Sequence, residues 1–87
     1  MHAVVVRVSI QDVENAEKML RGEVVPRVAE APGFVAGYWT RKDDTGLSMI
    51  VFDSEDAATR ASEMVSSMAL DNVTLDGIEI REVVASA

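Results

Sequence analysis

Ala31-Pro32-Gly33-Phe34-Val35-Ala36-Gly37-Tyr38-Trp39-Thr40-Arg41 and its continuation, Lys42-Asp43-Asp44-Thr45-Gly46-Leu47-Ser48-Met49-Ile50-Val51-Phe52-Asp53, decide the fold of this chain. Pro32-Gly33 stops a helix, because proline has no N–H to donate and glycine accepts backbone angles closed to other residues. Phe34 to Arg41 is rich in aromatic and β-branched residues and reads as a strand. Asp43-Asp44-Thr45-Gly46 reverses it, suiting a type I turn with Gly46 at positive φ. Leu47 to Asp53 reads as the returning strand, in a register that sets Asp43 against Leu47, Arg41 against Met49 and Trp39 against Val51. Asp53 or Ser54 then caps a helix whose first turn holds Glu55 and Asp56.

Outward from this hairpin the punctuation continues. Residues 3–9 are rich in valine and predict a first strand. Gln11-Asp12 opens a helical pattern in which Val13, Ala16, Leu20, Val24, Val28 and Ala31 recur at spacings of three and four. Gly22 and Pro26 lie inside that pattern and predict a kink or break near residues 22–25. In the second helix Ala57, Ala58, Ala61, Met64, Val65 and Met68 form one apolar stripe. Asp71-Asn72, a short Val73-Thr74-Leu75 run and an Asp76-Gly77 turn then precede a last strand, Ile78 to Val84. The order β-α-β-β-α-β predicts one α+β domain over residues 1–87, of ferredoxin-like type. It is a four-stranded antiparallel sheet, strand order 4-1-3-2, with two helices on one face.

Alternation along the strands divides the sheet into two faces. Val4, Val6, Val8, Phe34, Ala36, Ile50, Phe52, Ile78 and Ile80 form one strongly apolar set, placed under the helices. Tyr38 and Ser48 fall on the same side, so Tyr38, Ser48 and Phe52 are candidates for lining a ligand pocket. The opposite face holds Arg7, Trp39, Arg41, Met49, Val51 and Arg81, with Val5, Val35 and Val83. So much apolar surface is rarely left bare on a monomer, and two helices cannot cover both faces. A second copy of the chain is the expected cover, and these six residues are the candidate dimer interface. Arg7, Arg41 and Arg81 are three of eight basic residues. Pairing with Glu79 or with the partner subunit is the plainer reading of them, ahead of an anion site.

Composition narrows the function. A net charge of −7 opposes nucleic-acid backbones and anionic membranes. No apolar run reaches the ~20 residues of a membrane span, and Met1-His2-Ala3-Val4 does not open like a signal peptide. A cytoplasmic protein is the expectation. The chain has no cysteine and one histidine, His2, so thiolate metal sites and nucleophile–base pairs are absent and no cofactor is expected. Asp43, Asp44, Asp53, Glu55 and Asp56 serve a turn and a helix start.

Pro32-Gly33-Phe34, Gly37 two residues before Trp39, the hairpin, and Phe52-Asp53-Ser54-Glu55-Asp56-Ala57-Ala58 together resemble the dimeric α+β barrel superfamily. That group includes antibiotic-biosynthesis-monooxygenase-type domains and haem-degrading monooxygenases. The resemblance implies a homodimer with a pocket between sheet and helices in each subunit. Haem degraders of the family use an Asn on strand one, a Trp ending strand three and a helical His. Here those positions hold Val6 and Phe52, with no histidine beyond His2, so haem degradation is not expected. The cofactor-free monooxygenases use Asn, Trp, Tyr or Arg near the pocket, and only Tyr38, Trp39 and Arg41 offer those types in strands. Two functions follow as expectations. One is a non-catalytic accessory module that binds a ligand or simply packs, for which a tight core with few convergent polar groups is expected. The other is a cofactor-free monooxygenase-like or isomerase-like enzyme acting on a hydrophobic small molecule, which requires a cavity of a few hundred Å³.

Overall fold

The computed structural model describes residues 1–68 and 72–87; Asp71, read above as leading into the last strand, lies outside them. The elements are β1 (His2–Ile10), α1 (Val13–Met19), a π-helical turn (Leu20–Val24), α2 (Val25–Ala29), β2 (Phe34–Lys42), β3 (Thr45–Phe52), α3 (Glu55–Ser67) and β4 (Val73–Glu82). The sheet is antiparallel throughout, in the order β2-β3-β1-β4, which counted from the other edge is 4-1-3-2.

Local chemistry sets the helix ends. Asp12 caps α1 by accepting from the Asn15 N–H at 3.2 Å, and Ser54, rather than Asp53, caps α3 by accepting from the Ala57 N–H at 3.2 Å. Asp53 serves another joint: its N–H donates to the Gly33 carbonyl at 2.8 Å. Gly33 sits at φ 85°, and a Cβ there would stand 2.6 Å from the Asp53 carboxylate and 2.7 Å from Ala57. Only glycine fits where β2 begins.

Between α1 and α2 the chain stays helical through Gly22 and Pro26 and does not break. Pro26 offers no N–H to the Gly22 carbonyl and would crowd it. The helix widens instead, and the Val25 N–H reaches back five residues to the Leu20 carbonyl.

Register supplies the main corrections. Lys42 pairs with Thr45, so Asp43-Asp44 alone makes the turn, and Asp43, not Gly46, takes the positive φ of 56°. The short aspartate side chain tolerates that conformation better than most. At the start of β2, Phe34 faces Phe52 but Ala36 faces Val51, which leaves Val35 as a bulged residue. One extra residue flips every later side chain of the strand. Gly37, Trp39 and Arg41 therefore share the helix side with Ile50 and Ser48, while Ala36 and Tyr38 move to the far face. A second irregularity falls at Asp76, where β4 bulges instead of turning and runs unbroken from Val73 to Glu82.

The core lies between sheet and helices. Val4, Val28, Phe52 and Ala58 are wholly buried, joined by Val6, Val24, Ile50 and Ala61. Phe34 meets Phe52 edge to face, with ring centres 6.1 Å apart. Phe34 and Trp39 both pack against this core, yet they stand five residues apart. A regular strand cannot turn both inward, and the bulge at Val35 resolves the conflict.

Candidate functional site, a cavity beneath the helices

The helix-facing side chains of β3 shrink along the strand: Phe52, Ile50, Ser48, Gly46. The helices rest on the first two. Beyond Ile50 the floor falls away, and a cavity of about 480 Å³ opens between sheet and helices. That volume lies within the ~300–1,000 Å³ range of small-molecule sites.

Its lining is mostly apolar. β1 contributes Val6, Val8 and Ile10, and the π turn contributes Leu20 and Val24. Val65, Met68, Val73 and Leu75 form the wall toward α3 and β4. Trp39 closes the β2 side. Its indole reaches back to Gly37, where a Cβ would come within 2.8 Å of the ring edge, so that glycine leaves the ring its room. Gly46 on the floor is buried, and a Cβ there would meet Val8 at 2.7 Å.

Polar groups enter at few points. Ser48 stands on the floor and Ser66 on the α3 side. Glu17, Arg21 and Arg41 are the charged residues of the lining among the described residues. Arg41 donates from Nε to Glu17 at 3.2 Å and from Nη1 to the Asp43 carbonyl at 2.7 Å, tying β2 to α1 across the opening.

Of the residues singled out from sequence, Ser48 stands in the cavity lining. Phe52 does not; it is fully buried in the packed end of the core. Tyr38 is 68% exposed on the opposite face, because the bulge reversed its direction. The same reversal brings Trp39 and Arg41 into the cavity wall instead of the outer face. Met49 and Val51 do point outward, pairing with Val5 and Ala3, and half of Met49 is exposed. Arg7 and Arg81 lie 3.8 and 3.0 Å from Glu79 between them, the plainer of the two readings of those arginines. His2 approaches Glu55 at 3.4 Å, and its Nδ1 is buried with no hydrogen-bond partner among the described residues. Sequence reasoning passes over Glu17, Leu20, Arg21 and Gly46 as cavity residues; the descending side-chain size on β3 signals the opening above Gly46, and no sequence signal marks the three helical residues.

Among the described residues no three His, Asp or Glu side chains gather as a metal site, and no helix is long and apolar enough to cross a membrane. No protein-family model matches this chain, and no curated protein matches it, so the geometry of the cavity carries the functional reading.

Proposed function

We propose that this protein is a cytoplasmic ligand-binding module of the dimeric α+β barrel kind, taking a small hydrophobic molecule beneath its helices. The observation that carries this is the 480 Å³ apolar cavity, which a purely structural module has no need to keep open. Ligand release and native mass spectrometry of freshly purified protein test it. The expected result is a bound apolar molecule, or uptake of one with a change in the emission of Trp39, the chain's single tryptophan. Absence of both sinks the reading.

The homodimer belongs to the same proposal. Val35, Tyr38, Leu47 and Met49 are 51, 68, 50 and 49% exposed on the face away from the helices. Such a patch favours a covering surface, and a second copy offers the matching one. Sedimentation at micromolar concentration is expected to give a dimer, weakened by about 2 kcal/mol or more in Tyr38→Ala if that ring anchors the contact. A wild-type monomer at high concentration overturns it.

A second reading is an enzyme of the cofactor-free monooxygenase-like or isomerase-like class. It is favoured by the same cavity and by Trp39, Arg41 and Ser48 on its wall. Chemical change of a captured molecule on incubation with oxygen separates it from simple binding.

A further inference from the structure

The charged residues of the lining narrow the chemistry of a ligand beneath the helices. Among the described residues three ionic side chains line the cavity, Glu17, Arg21 and Arg41, two of them basic in a chain of net −7. Glu17 already accepts from Arg41, which leaves little of its charge for an incoming cation. Arg41 is held from two sides, by Glu17 and by the Asp43 carbonyl, and its Nη2 has no hydrogen-bond partner among the described residues. Arg21 makes no ion pair among the described residues. It sits in the π turn, whose wider spacing carries Leu20, Arg21, Val24 and Val25 together along the roof of the cavity.

From this we infer that the cavity binds an amphipathic carboxylate, with its apolar body over Ser48 and Gly46 and its head group at Arg21 and Arg41. The inference rests on the ligand-binding reading. The division of labour is physical. Apolar walls favour any hydrophobic body in proportion to the area it buries. A guanidinium adds a charge-assisted, two-point hydrogen bond that only an acid can answer. Because Arg41 and Glu17 are half exposed, the head group keeps part of its hydration and the arginines need not be desolvated to hold it.

Titration with decanoate, decanol and decylamine, followed by Trp39 emission, tests this in the wild type and in the Arg21→Gln/Arg41→Gln double variant. Decanoate is expected to bind about tenfold tighter than decanol, with decylamine weakest. The double variant is expected to bind decanoate and decanol alike; its retained decanol affinity reports an intact cavity. If the double variant does not fold, Arg21→Gln alone is expected to lower decanoate affinity and leave decanol unchanged. Equal binding of decanoate and decanol by the wild type, or a preference for decylamine, overturns the carboxylate while the cavity reading stands. No response to any of the three overturns the cavity reading and the carboxylate with it.

Discussion

The two ends of the space beneath the helices are built from the same strands and differ in almost everything else. At the Phe52 end, Val4, Val28 and Ala58 close completely around the ring, and the alanines of α3 let that helix settle onto the sheet. At the Gly46 end, Val8 and Ile10 stay partly exposed and the layers stand apart around 480 Å³. Along β1 and β3 both ends keep the same inward–outward alternation. Side-chain volume, not polarity, decides which end shuts. Stability is thereby concentrated at one end, and the other is free to hold something that is not protein.

Phe52→Ala strikes the closed end hardest. It is expected to cost ~3–5 kcal/mol, read as a lowered midpoint in urea. A near-neutral result would mean that the closed end is not where stability resides. Gly37→Ala tests the boundary between the two ends. Its methyl has no place while the indole edge of Trp39 stands beside it, so a loss of ~1–3 kcal/mol is expected, with a shift in tryptophan emission. Unchanged stability and emission would show that the ring sits elsewhere. Ser48→Leu fills the open end. It is expected to change stability by less than ~1.5 kcal/mol while abolishing uptake of an apolar probe; retained uptake would place the binding space away from the β3 floor.

Much of this was legible in the string, and what was not has one cause. The element order, the Pro32-Gly33 stop, the cap at residues 53–54 and the apolar set around Val4, Val6, Ile50 and Phe52 all follow from local propensity and period. Those signals accumulate over several residues and survive small errors. Strand parity does not. A single bulged residue, Val35, sends Trp39 and Arg41 to the cavity and Tyr38 to the outer face. Alternation alone could not locate it, because Phe34-Val35-Ala36 reads as an unbroken strand. The five-residue separation of Phe34 and Trp39 was the available hint: two large rings needing the same core at odd spacing require a residue to be skipped. The turn erred for a similar reason. Gly46 offered itself for the positive φ, but the register reserved it for the floor beside Val8, and Asp43 took the strain.

The smallest expected effect concerns the roof of the open end. Gly22 stands in the π turn, and a Cβ there would meet nothing within 4 Å. Its backbone is not at positive φ, so alanine fits without strain. If Pro26 alone causes the widened turn, glycine at residue 22 is a cost without a structural return, because it adds freedom to the unfolded chain. Gly22→Ala is then expected to stabilise by ~0.4–1 kcal/mol, seen as a rise of a few degrees in Tm, with probe uptake unchanged. If the variant instead loses stability, the π turn needs the looseness of glycine as well as the missing N–H of proline. The roof over the cavity would then be held open by both residues, and the contrast between the two ends would owe as much to the helix as to the shrinking side chains of β3.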